Sequence, residues 1–212
     1  MKQPQRHREH RDCTEKTGVD EGNRMLQGLN LVLETEHLLL RPLELADLDL
    51  IWPDISDPEI SKYMAWEAHT DRAQTVEFLK NEQARIETGK GITWAIFKDN
   101  SFCGIFSIIG VVRSHRALTY NKAELAYWLG RRYQGQGIMT EAGKRVLQFA
   151  FQELGLHKVF VSHFSVNKAS ENLIKRLGFR YIGEQREEFQ KAGVWYDHKL
   201  YELLKVEFAA LV

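Results

Sequence analysis

Cysteine and long apolar runs are both scarce in this chain of 212 residues, whose only cysteines are Cys13 and Cys103. Cys13 stands in a polar N-terminal stretch and Cys103 in a strand-like run, which argues against a disulfide framework and a cysteine-based zinc site. No apolar run approaches the roughly 20 residues that a membrane-spanning helix needs, and the N-terminus has no apolar signal segment. We therefore expect a reduced, cytoplasmic protein without a metal site or a membrane partner.

Excess charge is also missing, because 29 Lys and Arg residues balance 29 Asp and Glu residues. A neutral chain has no overall attraction for nucleic acid, so we expect no DNA partner, although a local basic patch stays compatible with the composition. The length and the hydrophobic fraction of 43% suit one domain with a sizeable core. Residues 1–28 are polar and lack hydrophobic periodicity, so we predict a disordered extension there and a single domain over residues 29–212.

A glycine-bearing loop, Arg132-Tyr133-Gln134-Gly135-Gln136-Gly137, is the most informative segment of the chain. Residues 123–129 before it alternate and are rich in aromatics, as in a strand, and the apolar residues after it recur at helical spacing. Glycines let the backbone approach a phosphate closely, and the N–H groups at a helix start point toward the anion. This arrangement predicts a pyrophosphate site; the alternative is an ordinary strand-to-helix turn.

The loop matches neither of two common nucleotide motifs. The dinucleotide fingerprint needs a third glycine three residues after Gly137, where this chain has Thr140. No Gly-Lys-Ser/Thr follows either, so the loop is not a Walker A motif. A nicotinamide-dependent oxidoreductase is therefore disfavoured.

Strand-like segments outnumber helix-like segments in the rest of the chain. The predicted strands are residues 37–41, 93–97, 102–112, 120–129, 157–164, 181–186 and 195–204. The predicted longer helices start at Thr70 or Asp71 and after Gly137, and a short helix starts at Ser170. This pattern predicts an α/β fold in which helices cover both faces of one mixed sheet.

The order of these motifs carries a resemblance to a known family. The strand-like residues 157–164 lead into Asn167-Lys168-Ala169-Ser170-Glu171-Asn172 and then Leu177-Gly178-Phe179. With the glycine loop, this order resembles the GNAT acyltransferase superfamily, and in detail its RimJ/RimL-like branch of ribosomal-protein N-acetyltransferases, over about residues 35–205. The resemblance implies a central mixed, mostly antiparallel sheet of about seven strands, splayed between the fourth and fifth strands, with helices on both faces.

The resemblance also implies acetyl-coenzyme A as the acyl donor, with coenzyme A as product. In this superfamily the pantetheine arm lies between the two splayed strands, here residues 124–129 and 159–164. Arg131 competes with Arg132 for the phosphate charge. The residues that the resemblance places on the cofactor are Trp128, Leu129, Arg132, Gln134, Gly135, Gln136, Gly137, Ile138, Met139, Thr140, Asn167 and Asn172. The alternative role of Asn167 is to cap the turn that follows it.

The catalytic candidates are also those that the resemblance implies. Glu124 matches an acidic position frequent in the branch and is the candidate general base, with His163 as a rival because histidine titrates near neutral pH. Many GNAT enzymes have a tyrosine acid four residues before the glycine of the Gly-Phe pair, but this chain has Ile174 there. In the RimJ/RimL-like branch the serine of N-x-A-S is the proposed substitute, which is Ser170; its alternative role is the N-cap of the short helix.

The acceptor implied by the resemblance is a primary amine that attacks the thioester directly in a ternary complex. A protein N-terminal α-amine is the first interpretation; a polyamine or aminoglycoside is the alternative, and a non-catalytic acyl-coenzyme A-binding regulator is a third. Both a monomer and a homodimer stay open. The candidate acceptor-pocket residues are Tyr63, Trp66, Tyr127, Trp195 and Asp197, although aromatics are as often core residues and Asp197 suits a structural role in the terminal hairpin.

Overall fold

The computed structural model describes residue 26 and residues 28–211. The extension predicted to be disordered, residues 1–28, therefore lies almost entirely outside the described residues. Within the described part, no helix combines the length and apolar composition needed to cross a membrane.

One sheet of eight strands organises the fold. The strands are β1 (Leu33–Glu34), β2 (Leu38–Pro42), β3 (Ile92–Lys98), β4 (Ser101–His115), β5 (Leu118–Leu129), β6 (Lys158–Phe164), β7 (Arg180–Lys191) and β8 (Val194–Leu204). They lie in the order β1-β2-β3-β4-β5-β6-β8-β7, and β5 with β6 is the parallel pair among otherwise antiparallel neighbours. The predicted mixed, mostly antiparallel sheet is confirmed. The count of about seven omitted β1, because two residues are too few to show an alternating pattern.

Helices cover both faces of the sheet, as predicted. They are α1 (Leu48–Ile55), α2 (Pro58–Ser61), α3 (Arg72–Glu87), α4 (Ile138–Gln148), α5 (Lys168–Arg176) and α6 (Lys205–Ala209). One buried cluster joins α4 and α5 to the first face through residues such as Val146 and Ile174. A second cluster joins α1 and α3 to the opposite face through Ile51 and Leu79. The sheet is therefore the middle layer of three.

Local signals set the ends of several elements. The Asp71 side chain accepts a hydrogen bond from the Ala73 N–H, so Asp71 rather than Thr70 caps α3. Asp99 and Asn100 adopt φ of 49° and 60° in the tight turn between β3 and β4, a conformation that Asn and Asp tolerate better than most residues. These short-range preferences make the hairpin and the helix start readable from sequence.

The parallel strands β5 and β6 separate along their length. They pair at Lys122 with Lys158, Ala123 with Val159 and Glu124 with Phe160. Beyond Glu124, β5 continues for five residues to Leu129 and stays paired with β4, and β6 continues to Phe164 and stays paired with β8. The predicted splay therefore lies between the expected two strands, and it opens a wedge whose walls are β5 and β6.

Gly104 of β4 allows β4 and β5 to approach closely at the open end of this wedge. A Cβ at Gly104 would lie 2.8 Å from the Leu129 Cα and would overlap the Trp128 carbonyl oxygen. We expect Gly104→Ala to lower the free energy of unfolding by about 1–3 kcal/mol in urea denaturation, because the clash is with backbone atoms that cannot rotate away. Gly183→Ala on β7 is the matched control, since its Cβ would meet nothing within 4 Å. Equal stability of the two variants would contradict the packing argument.

Candidate active site

The glycine loop leaves β5 and leads directly into α4. A 3-10 turn at Arg131–Tyr133 follows Gly130, and α4 begins at Ile138 with Gly137 as its N-cap. Gly135 and Gly137 have φ of 76° and 80°, and a Cβ on either would meet nothing within 4 Å. Glycine is thus required here for the left-handed backbone rather than for space. The Thr140 and Glu141 N–H groups donate to the Gly137 carbonyl at 3.0 and 3.1 Å, whereas the first two N–H groups of α4 precede the helical hydrogen bonds and point back toward the loop.

The loop side chains brace the loop itself. The Gln134 Nε2 donates to the Leu129 carbonyl at 3.3 Å, and the Gln136 Nε2 donates to the Arg132 carbonyl at 2.9 Å. Ile138 is buried in the core, so the helix start is anchored to the sheet. The loop backbone is therefore held in one conformation, and its N–H groups together with those at the start of α4 suit the binding of an anion.

Two arginines stand beside the loop. Arg131 lies 3.6 Å from an Asp57 carboxylate oxygen, and the Arg132 guanidinium lies 4.9 Å from the centre of the Tyr133 ring. A cleft of about 600 Å³ next to the loop is lined by Pro53, Asp54, Asp57, Arg131, Arg132 and Gln134. Burial raises the pKa of Asp54, and Arg132 partly opposes that rise. Both arginines therefore remain candidates for the phosphate charge.

Backbone N–H and C=O groups of β5 face the wedge at every second residue. The Gly130 N–H donates to the Cys103 carbonyl on β4, and the Asn121 carbonyl accepts from the His157 N–H on the β6 side. Since backbone groups alternate in direction along a strand, Tyr127 and Leu129 direct their N–H and C=O toward β6, whereas Trp128 directs its own toward β4. The Leu129 backbone thus faces the wedge. The Trp128 backbone faces β4 instead, and Tyr127 takes its place.

Glu124 lies at the point where the wedge opens. Its side chain is half-buried on the sheet face that carries α1 to α3, and its Oε1 accepts a hydrogen bond from the Ser162 Oγ of β6 at 3.2 Å. Burial raises the pKa of Glu124, and the Ser162 hydrogen bond opposes part of that rise. A carboxylate with a raised pKa beside a cleft has the chemistry of a general base.

Ser170 lies on the other side of the sheet, in the first turn of α5. The N-cap of α5 is Asn167, whose Oδ1 accepts from the Ser170 N–H at 3.1 Å. Ser170 is therefore not the cap, which leaves its hydroxyl available for another partner. The Tyr127 hydroxyl lies 2.8 Å from the Ser170 Oγ. Burial raises the pKa of Tyr127 to about 12.

Three other residues considered from sequence lie in or near α5, and in the described part of the chain none of their side chains forms a hydrogen bond with Ser170 or Glu124. Ile174, at the position of the missing tyrosine, is fully buried in the core. The His163 Nδ1 lies 2.7 Å from the Phe164 carbonyl, its ring stacks on Tyr201, and burial lowers its pKa. Because His163 neighbours Ser162 on β6, it points to the face opposite Glu124. Asn172 is exposed on α5.

The predicted acceptor residues divide between two places. Tyr63 and Trp66 are partly buried in the segment after α2, and Trp195, 54% exposed, lies near the tip of the β7–β8 hairpin. Asp197 has a structural contact, because its Oδ1 accepts from the Glu187 N–H at 2.9 Å in the bulge of β7. Tyr127 lies apart from this group, against Ser170.

Lys191 joins the segment after α2 to the hairpin, and sequence reasoning did not identify it. Its Nζ donates to the carbonyls of Ser61, Met64 and Trp66 at 2.7, 2.8 and 2.7 Å. The side chain is only 12% exposed. The Lys191 ammonium thus ties the β7–β8 hairpin, which carries Trp195, to the segment after α2, which carries Trp66. No local pattern marks such a lysine, since its partners stand more than a hundred residues away in the chain.

Comparisons with known proteins agree with this geometry. Residues 37–180 match the family model described as acetyltransferase (GNAT) domain. Relatives include the uncharacterized N-acetyltransferase YoaA of Bacillus subtilis, 26% identical over 82% of this chain and 97% of its own length. The ribosomal protein uS5-alanine N-acetyltransferase of Escherichia coli is 28% identical over 48% of this chain and 50% of its own length. Among solved structures, RimL, a ribosomal L7/L12 α-N-protein acetyltransferase in complex with coenzyme A, has a TM-score of 0.76 and 18% identity over 82% of this chain and 97% of its own.

Proposed function

This chain belongs to the GNAT acetyltransferase family, and we propose that its acceptor is the α-amine of a protein N-terminus. The protein is an acetyl-coenzyme A-dependent N-acetyltransferase. The observation that carries the transfer chemistry is the position of Glu124, half-buried at the opening of the β5–β6 wedge with a raised pKa. Two similar proteins, the uS5-alanine N-acetyltransferase and RimL, act on ribosomal proteins, which supports a polypeptide acceptor.

The residues present fit the cofactor that the family uses. The left-handed loop glycines and the α4 start suit the pyrophosphate, with Arg131 and Arg132 adding charge. The Leu129 and Tyr127 backbone groups suit the amides of the pantetheine arm, which would replace the strand pairing that β5 and β6 lack beyond Glu124. The proposal also includes contacts of Met139, Thr140 and Asn172 with the cofactor.

The chemistry divides between the two sides of the sheet. Acetyl-coenzyme A supplies the activated acetyl group as a thioester. Glu124 accepts the proton that the attacking amine loses, directly or through one water, while a β5 N–H facing the wedge donates to the carbonyl oxygen. The new C–N bond forms as the C–S bond breaks. Ser170 donates a hydrogen bond to the departing sulfur, and the thiolate takes its proton from solvent.

The test of the acceptor is thiol release from acetyl-coenzyme A. We would compare N-terminal peptides beginning with Ala or Ser, the same peptides with blocked α-amines, spermidine and an aminoglycoside. The proposal predicts release with free peptides and none with their blocked forms. Release with spermidine or the aminoglycoside alone would overturn the polypeptide acceptor. Coenzyme A binding without release from any acceptor would favour a non-catalytic regulator.

Ser162 provides a pH test of the general base. Activity needs ionised Glu124, so kcat/KM for the acceptor should fall as pH drops through the raised pKa of this carboxyl. The Ser162 hydrogen bond holds that pKa down, so Ser162→Ala should raise it further and move the acidic limb of the pH profile to higher pH. Glu184→Gln, an exposed change on β7, is the control. If the acidic limb of the pH profile does not move in Ser162→Ala, the titration of Glu124 does not set that limb.

Lys191 provides a test of whether the segment after α2 and the β7–β8 hairpin bind the acceptor. Lys191→Met keeps the length of the side chain but leaves the carbonyls of Ser61, Met64 and Trp66 without their ammonium. We expect a loss of about 1–3 kcal/mol in stability and a several-fold higher KM for the acceptor, with the KM for acetyl-coenzyme A unchanged. Lys80→Met, on the exposed side of α3, is the control. An unchanged KM for the acceptor would show that these two segments do not bind the acceptor.

A further inference from the structure

We propose that Tyr127 is a positioning residue that directs the hydroxyl of Ser170 toward the wedge between β5 and β6. The inference rests on the proposed function, in which Ser170 donates to the departing sulfur. It concerns a contact between β5 and α5, because the Tyr127 hydroxyl and the Ser170 Oγ lie 2.8 Å apart. The two residues stand 43 positions apart in the chain, so the contact exists only in the folded protein.

Both partners are held in place by neighbours of their own. The Tyr127 ring lies against Phe106 of β4, with ring centres 5.2 Å apart. The Ser170 backbone is tied to the Asn167 side chain by the N-cap hydrogen bond of 3.1 Å. Neither group can move far without breaking core packing or the helix cap. The hydroxyl pair is therefore set by two independent constraints, one on the sheet and one on the helix.

The geometry allows either hydroxyl of the pair to donate, and we assign the donation to Tyr127. Its phenol is buried, and the raised pKa of about 12 keeps the proton on it at neutral pH. A neutral phenol that donates to the Ser170 Oγ leaves the serine proton free for a second partner. Because hydrogen bonds in a chain polarise one another, the donation from Tyr127 also strengthens the donation from Ser170.

The position of Tyr127 on β5 links this hydroxyl pair to the reacting atoms. Tyr127 lies between Glu124, where the wedge opens, and Leu129, which precedes the glycine loop. Its backbone faces the wedge while its ring reaches α5, so its hydroxyl and Ser170 stand beside the expected path of the pantetheine arm. This placement replaces the acceptor-pocket role expected for Tyr127 from sequence.

The experiment is a double-mutant cycle of Tyr127→Phe and Ser170→Ala with kcat, KM and coenzyme A affinity measured for each variant. Ser170→Ala keeps the backbone N–H that Asn167 caps, so the helix start is retained. Tyr127→Phe should lower kcat about tenfold, the effect of one lost hydrogen bond, without changing either KM or the Kd for coenzyme A. In the Ser170→Ala background, Tyr127→Phe should have no further effect. Tyr201→Phe removes the hydroxyl of a buried tyrosine stacked on His163 and should keep wild-type kcat.

The outcomes separate this inference from the function on which it rests. A reduced kcat in Ser170→Ala with normal kcat in Tyr127→Phe would overturn the positioning role and leave Ser170 as the donor. Equal fold losses from Tyr127→Phe in both backgrounds would show that Tyr127 acts without Ser170, which also overturns the inference. Normal kcat in Ser170→Ala would instead remove Ser170 from the proposed chemistry. A Tyr127→Phe loss that appears in KM or in coenzyme A affinity rather than in kcat would mark a merely structural role.

Discussion

Glu124→Gln should lower kcat by about 10²- to 10⁴-fold while coenzyme A affinity stays at the wild-type level. Gln keeps the shape of the side chain and a hydrogen-bond acceptor for Ser162, but it cannot take the proton of the attacking amine. The measurement is steady-state thiol release with saturating acceptor, together with calorimetric binding of coenzyme A. The exposed Glu184→Gln is the matched control and should turn over normally.

The melting temperature of Glu124→Gln distinguishes a loss of catalysis from a loss of folded protein. The pKa of Glu124 is raised in the folded protein, so folding favours the neutral form. Its stabilising contribution is present below the unfolded pKa and is lost as pH rises through the folded pKa. At neutral pH the buried charge is therefore unfavourable, and Glu124→Gln should match or exceed the wild-type melting temperature. Full turnover in the variant, or a loss that tracks a lower melting temperature, would refute the role of Glu124 as base.

Gly137→Val should weaken coenzyme A binding by about a hundredfold. The φ of 80° at Gly137 is strained for any side chain and most strained for a β-branched one, so relief of the strain moves the start of α4. Movement of that helix start misdirects the N–H groups proposed to hold the pyrophosphate, each worth about 1.5–3 kcal/mol as a hydrogen bond to a charge. Calorimetry with coenzyme A gives the change directly.

Gly155→Val is the matched control for backbone strain. Gly155 has a φ of 68°, and its Cβ would also meet nothing within 4 Å, so the substitution carries similar strain away from the loop. Both variants should lose about 1–2 kcal/mol of stability, but only Gly137→Val should lose coenzyme A affinity. Equal affinities for the two variants would place the pyrophosphate elsewhere.

Local chemistry made much of the fold and of the loop predictable. The aromatic alternation before residue 130, the glycines at 135 and 137 and the helical spacing after them each act within a few residues. Asp71 and the Asp99–Asn100 turn are likewise short-range signals, and the structure has a helix cap and a hairpin at those places. The splay between β5 and β6 followed from the family resemblance rather than from any local rule.

Long-range partners could not be read from the chain. The sequence by itself determined the order of strands and helices, the glycine loop and the membership of an acetyltransferase family, because each depends on residues close together or on a motif order. Only the tertiary structure decided that Tyr127 meets Ser170 and that Lys191 holds the segment after α2. These contacts depend on how distant segments cross the sheet, and the cost of burying polar groups selects partners that chain spacing does not reveal.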